Sequence, residues 1–213
     1  MSTLTAIPGL VRIENCPQPE ALEKMQGLTR PKWHHEEIFG KYCSLSEHID
    51  APPREVYDYM ADTRSLAEWT LTLRKVTETG EPGLCVANEM LCDNSTQIYV
   101  RTLANPEAMT VDYHCAWDQG EHLWMIYLMR VVDAQLVLNR PGSVVLWTNC
   151  RHPFYDRNPW PELSPAPSRR WVGEFWDLFY ACHWIELQNL KKICEYRHAH
   201  GQPITPDWSK VDA

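Results

Sequence analysis

Several signatures are missing from this sequence of 213 residues, and each absence removes a class of protein. Its eight cysteines form no Cys-x-x-Cys pair, the spacing of zinc ribbons and thioredoxin-like sites. There is no G-x-G-x-x-G, no Walker lysine motif and no G-x-S-x-G elbow. We therefore expect chemistry without a cofactor, or a protein that only binds its ligand.

Concentrated positive charge is also missing. Twenty Lys and Arg stand against 28 Asp and Glu, which gives a formal net charge of −8, and no basic run of five residues occurs. Because a negative surface repels nucleic acid and anionic membranes, we expect neither as a partner.

Targeting and membrane signals are absent as well. No run of 18 apolar residues could span a bilayer, and the first residues lack a charged region followed by a long apolar stretch. Most cysteines lie inside apolar runs, where a thiol behaves as a small hydrophobic group. The expectation is a cytoplasmic protein with reduced thiols.

The chain has the length and apolar content of one domain with extensions. Residues 1–35 contain four prolines and little periodicity, and we interpret them as an N-terminal extension that is partly ordered at best. Whether it covers a pocket, mediates a homodimer or has no role stays open. Residues 36–201 form the domain, with a Pro-rich loop at 152–168, and residues 202–213 form a tail.

The order of predicted elements is one strand, two short helices, six strands and one long helix. A strand over 36–50 ends at Pro52, and Pro53 occupies the first turn of a helix. Six more strand candidates follow at spacings of about ten residues, separated by Gly, Asn or Pro turns. A helix from Ser168 to about His200 ends the domain.

This order predicts an α+β helix-grip fold. A curved antiparallel sheet of about seven strands must bury the apolar stripe of the long C-terminal helix on its concave face. We expect such packing to leave a cavity between sheet and helix.

Two stretches carry a resemblance to a known superfamily. DAPPREVYDYMADTRSLAEW, after the first strand, resembles the Bet v 1-like or START-like (SRPBCC) superfamily, and LQNLKKICEYRHAHG resembles the closing helix of bacterial polyketide aromatase/cyclases. The resemblance covers about residues 37–200 and implies an internal cavity. The superfamily includes cyclases, carriers of hydrophobic ligands and a few zinc hydrolases, so it marks the fold better than the chemistry.

The long helix supplies the first candidate catalytic pair. His183 and Glu186 are three residues apart and share a helical face with apolar neighbours. An imidazole and a carboxyl beside an apolar wall would have shifted pKa values and could act as an acid/base pair. The alternative is that both face solvent.

The resemblance adds a second pair, because the cyclases have a pocket arginine in the corresponding strand. It implies that Arg101, with Tyr99 on the same face, could polarise a carbonyl or hold an enolate. The alternative is a solvated arginine on the outer face.

The substrate-binding candidates are mainly aromatic. In the resembling folds the second short helix lies over the cavity mouth, so Trp69 could be a wall residue or could plug one end of the core. On the sixth strand, alternation places Trp124 and Arg130 on one face and Tyr127 on the other, and the sequence leaves the inward face open. Phe179 and His114 complete the set.

Three functions follow. The leading hypothesis is a cofactor-free cyclase, aromatase or dehydratase acting on a hydrophobic or aromatic poly-oxygenated molecule of polyketide type. An acyl carrier protein could deliver the substrate, with Arg169 and Arg170 as the basic patch. The alternatives are a non-catalytic carrier and a zinc hydrolase or lyase, whose ligands would be His183, Glu186 and His114 with His122 or His152.

Overall fold

Seven strands form one antiparallel sheet in the computed structural model, which describes residues 3–14, 17–32, 42–91, 96–120, 122–163 and 171–210, without the side chains of Thr3, Gln18 and Asp177. The strands are β1 (Tyr42–Ile49), β2 (Leu73–Glu78), β3 (Leu84–Glu89), β4 (Thr96–Asn105), β5 (Thr110–Trp117), β6 (Met125–Asp133) and β7 (Ser143–Cys150). Their order across the sheet is β1-β7-β6-β5-β4-β3-β2. Consecutive strands from β2 to β7 are neighbours, and β1 pairs with β7.

Five α-helices accompany this sheet in the described residues: α1 (Gln18–Thr29), α2 (Pro53–Ala61), α3 (Leu66–Trp69), α4 (Ala134–Leu138) and α5 (Trp176–Ala199). The predicted α+β helix-grip class is confirmed, with two short helices after β1 and a long helix at the end. Within the same residues, no helix has the length and apolar character needed to cross a membrane.

One helix boundary and one short helix differ from the sequence prediction. The last helix begins at Trp176, after a 3-10 turn over Val172–Phe175, whereas the prediction placed its start at Ser168, which lies outside the described residues. Helix α4 was not predicted, because five residues are too few to show a helical period. Its N-terminus is capped by Asp133, whose carboxylate accepts the backbone N–H of Gln135 at 2.9 Å.

The Pro-Pro pair after β1 acts as the predicted switch from strand to helix. Pro52 is extended, with φ −59° and ψ 136°, and Pro53 is the first residue of α2. Proline fits the first helical turn because that position needs no N–H donor. After α2, the Asp62 side chain accepts the backbone N–H of Arg64 at 3.0 Å and begins the turn that leads into α3.

Helix α5 is buried on two sides. The concave face of the sheet covers one side, and α1 packs against another. The N-terminal residues therefore include a packed helix that the sequence analysis did not predict. In α1, Ala21 and Met25 are four residues apart and fully buried, a stripe too short to stand out among the surrounding prolines.

A buried ion pair joins α3 to α5. The guanidinium of Arg197 donates to both carboxylate oxygens of Glu68 at 2.8 and 2.9 Å, and the Tyr59 hydroxyl donates to the same carboxylate at 2.6 Å. Arg197 also donates to the carbonyl of Ile204 at 2.8 Å. Because Glu68 directly precedes Trp69 in α3, this network also fixes the position of Trp69 relative to α5.

Replacing one partner of this pair should be costly. Arg197→Met leaves the Glu68 carboxylate buried without its cation, so we expect a loss of about 3–5 kcal/mol in the free energy of unfolding by urea denaturation. Arg54→Met is the control, because Arg54 forms an exposed pair with Asp58 on α2 and should cost under about 1 kcal/mol. Equal losses in the two variants would contradict the structural role of the buried pair.

Candidate active site

A cavity of about 120 Å³ lies between the concave face of the sheet and α5. Strands contribute mostly apolar and aromatic side chains, among them Ile98, Tyr113, Trp117, Met125, Tyr127 and Trp147. Helix α5 contributes one stripe of side chains, Leu178, Phe179, Cys182, His183 and Glu186. The spacing of this stripe is helical, so one face of α5 forms one wall of the cavity.

Glu186 is the principal ionisable group of this wall. Its side chain is 6% exposed, and its Oε1 accepts the backbone N–H of Leu71 at 2.9 Å. Burial raises the pKa of Glu186 from 4.5 to about 7, although the Leu71 hydrogen bond and the charge of Arg74 act in the opposite direction. A carboxyl with this pKa can both accept and release a proton near neutral pH.

His183 lies in an aromatic box one helical turn before Glu186. Its ring stacks on Trp147 with centroids 4.6 Å apart, and the rings of Tyr127 and Phe179 are each 5.3 Å away. Burial lowers the pKa of His183 from 6.5 to about 3, so the imidazole stays neutral at physiological pH. A neutral ring offers one N–H donor and one acceptor nitrogen.

Three of the aromatic residues predicted from the sequence also line the cavity. Trp69 is 1% exposed, packs against Trp147 at 5.7 Å and donates its indole N–H to Ser65 at 3.2 Å. It is therefore a wall residue. Tyr127 faces inward on β6, and Phe179 lies on the α5 stripe.

Four predicted residues lie on the opposite face of the sheet. In β4 the buried residues are Thr96, Ile98 and Val100, so Tyr99 and Arg101 point away from the cavity, and Arg101 pairs with Glu81. The same alternation places His114 on the outer side of β5 and Arg130 on the outer side of β6. The structure does not bring these four side chains to His183 and Glu186.

Trp124 belongs to an aromatic cluster beside the cavity rather than to its wall. Its ring lies 4.7 Å from Tyr155 and stacks on Trp171 at 5.9 Å. Tyr155 in turn contacts Phe179 at 5.7 Å, so the cluster supports the wall from behind. Tyr155 belongs to the Pro-rich loop, so the described part of that loop packs behind the cavity wall. Arg169 and Arg170 lie outside the described residues.

The donors proposed for zinc are dispersed. His114 is on the outer face of β5, His122 stacks on Trp160 at 4.2 Å, and His152 packs beside Phe154 at 4.3 Å. Among the residues that the structure describes, no group of three or more His, Cys, Asp or Glu is arranged to hold a metal ion. The arrangement of donors therefore gives no support to the zinc alternative.

Sequence reasoning missed a second carboxyl on the wall. Glu89 ends β3, is 3% exposed and lines the cavity, and its charge contributes to the raised pKa of Glu186. It shares its face of β3 with Cys85 and Ala87, both buried, and this alternation is the signal that could have revealed it.

Two wall tryptophans were also missed, and they carry polar atoms that need partners. The indole N–H groups of Trp117 and Trp147 and the Nδ1 of His183 are buried and have no hydrogen-bond partner among the described residues. Unsatisfied buried polar atoms are uncommon in proteins. All three atoms belong to residues that line the cavity.

Comparison with known proteins identifies the fold. The sequence matches no model of a protein family and no curated protein. The structure is similar to the Zhui aromatase/cyclase of a Streptomyces species, strain R1128, with a TM-score of 0.51 and 16% identity over 76% of this chain and 98% of that chain.

Two further structures show the same type of likeness at lower scores. DynU16, from the dynemicin biosynthetic locus, has a TM-score of 0.44 and 13% identity over 79% of this chain and 51% of that chain. The Aha1 dimer of Colwellia psychrerythraea has a TM-score of 0.47 and 13% identity over 72% and 96%. The chain has the helix-grip fold, and its structure is similar to that of the Zhui aromatase/cyclase.

The raised pKa of Glu186 predicts how stability depends on pH. Between about pH 4.5 and pH 7 the folded protein holds a proton that the unfolded chain has released, so stability falls as the pH rises. Relative to Glu186→Gln, which does not titrate, the wild-type unfolding free energy should drop by about 3 kcal/mol at most between pH 4 and pH 8. Urea unfolding at a series of pH values measures this difference, and parallel curves for the two proteins would contradict it.

Proposed function

We propose that this protein is a cofactor-free cyclase, aromatase or dehydratase that acts on a hydrophobic, oxygen-rich molecule of polyketide type. The observation that carries the proposal is Glu186, a buried cavity carboxyl whose pKa is raised to about 7. A general acid/base works best when its pKa lies near the working pH. A protein that only carried an apolar ligand would have no use for a carboxyl tuned in this way.

Glu186 could serve both halves of an intramolecular aldol cyclisation. As a carboxylate it removes a proton from a carbon that lies between two carbonyl groups. The resulting enolate carbon bonds to a second carbonyl carbon of the same molecule, and the protonated Glu186 returns the proton to the new alkoxide. Loss of water from this alcohol gives the unsaturated or aromatic ring. No further reactant is needed, because the proton that Glu186 removes is returned to the substrate and the departing water is formed from substrate atoms.

His183 and the wall tryptophans suit the oxygen atoms of such a substrate. A neutral imidazole can donate one N–H, and each indole can donate one more. Donors placed where an enolate oxygen develops lower the barrier because they need no reorganisation during the reaction. The cavity residues His183, Trp117 and Trp147 therefore favour an oxygen-bearing ligand over a plain hydrocarbon.

The flat apolar walls would contribute orientation. Holding two parts of one molecule in a reactive conformation can supply several kcal/mol of the barrier reduction, on the order of 7–11 kcal/mol in the best cases. The aromatic box around His183 and the face of Trp69 restrict how a planar chain can fold. An acyl carrier protein as the partner that delivers the substrate stays a prediction.

Glu186→Gln should abolish most of the turnover. The substrate is a synthetic poly-β-ketone thioester, and ring formation is followed by mass spectrometry and ultraviolet absorbance against the spontaneous rate. Since general acid/base catalysis contributes about 10²–10⁴-fold, we expect the rate to fall by at least about 100-fold.

Glu195→Gln is the matched control, because Glu195 lies on the same helix and pairs with Lys191 at the surface. We expect it to keep the wild-type rate. If Glu186→Gln formed product as fast as Glu195→Gln, the catalytic role of Glu186 would be wrong. If the wild type bound the thioester without turnover, the protein would be a carrier.

A further inference from the structure

One wall of the cavity comes from outside the helix-grip elements. Met25 lies on α1, which precedes β1 in the chain, and its side chain is 1% exposed and lines the cavity. Glu186 and His183 line the same space from α5. The N-terminal residues are therefore part of the candidate site.

The segment that precedes α1 is anchored by a buried asparagine. Asn189 is fully buried on α5, and its side chain accepts the N–H of Val11 at 3.0 Å and donates to the carbonyl of Val11 at 2.6 Å. The same amide donates to the carbonyl of Trp69 at 3.2 Å. One side chain therefore ties the N-terminal segment to the loop that carries a cavity wall.

Two further contacts tie the segment to the residues around Glu186. The N–H of Ile13 donates to the carbonyl of Leu71 at 2.8 Å, and the N–H of Leu71 donates to Glu186. Arg74, which is buried, donates to Glu14 at 2.7 Å and to the carbonyl of Leu71 at 2.9 Å. These contacts fix the position of the N-terminal segment relative to the catalytic candidate, and α1 follows that segment.

With Met25 in place the cavity is small. Its volume of about 120 Å³ is close to that of an engineered protein cavity of about 150 Å³ that binds one benzene. Pockets for drug-sized ligands are larger, at about 300–1,000 Å³. A space of this volume fits one six-membered ring and is too small for two fused rings.

We infer that Met25 is a specificity-determining residue that limits the part of the ligand held in this cavity to a single ring. A thioether chain is flexible and fills irregular gaps, so it defines this end of the cavity by occupying it. Removing the chain beyond Cβ opens space for a second ring. The inference rests on the proposed function only in assigning the substrate to this cavity.

Binding of two plain hydrocarbons tests the limit without any turnover. Benzene and naphthalene are titrated into the full-length wild type, Met25→Ala and Met25→Leu, and binding is followed by amide chemical shifts in two-dimensional NMR. We expect the wild type and Met25→Leu to bind benzene. Both should bind naphthalene at least about tenfold more weakly than Met25→Ala does, because the second ring gains affinity only where there is space to bury it.

Leu28→Ala is the control, because Leu28 lies on the same helix and is 40% exposed. It should bind both probes as the wild type does. Met25→Val, a milder truncation, should show an intermediate gain for naphthalene and decides the test if Met25→Ala fails to fold in a thermal unfolding check.

The inference is overturned if naphthalene binds the wild type as tightly as it binds the truncated variants, or if Leu28→Ala gives the same gain. Neither hydrocarbon can react, so these outcomes are independent of the thioester assay. If the wild type failed to turn over the thioester but still bound naphthalene more weakly than Met25→Ala, only the proposed function would be refuted. If Glu186→Gln lost turnover but naphthalene bound the wild type as tightly as Met25→Ala, only the role of Met25 would be refuted.

Discussion

The burial of α5 is the constraint on which the rest of the structure depends. This helix packs on the concave face of the sheet along one side and against α1 along another, so the positions on these two sides are buried. A polar side chain on such a helix must either find a partner or change its protonation. Asn189 and Arg197 find partners, whereas His183 remains neutral and Glu186 tends to hold its proton.

The two ionisable groups of the cavity respond to the same burial in opposite directions. Desolvation disfavours the charged form in each case, so the pKa of His183 falls to about 3 and that of Glu186 rises to about 7. The result near neutral pH is a fixed neutral imidazole beside a carboxyl that exchanges its proton. This division separates a hydrogen-bonding role from a proton-transfer role within one helical turn.

The loop that follows α3 links these parts. Its backbone at Leu71 donates to Glu186 and accepts from both Ile13 and Arg74, while the preceding Trp69 forms a cavity wall. The catalytic candidate, the N-terminal segment and the wall are thus held through a single stretch of chain. The buried pair of Glu68 and Arg197 secures the same stretch to the far end of α5.

The order of elements, the fold class and the placement of His183 and Glu186 on one face of α5 could be read from the sequence, because turn residues and helical spacing are local properties. Which face of each strand turns inward was decided only by the tertiary structure. In β6 both faces are apolar, so alternation alone could not choose Tyr127 over Trp124. In β4 alternation placed Tyr99 and Arg101 on one face but could not show that this face is the outer one. The contribution of Met25 was hidden for a related reason. A short apolar stripe among prolines does not by itself predict a buried helix. Its burial depends on the contact between α1 and α5, which joins residues far apart in the chain.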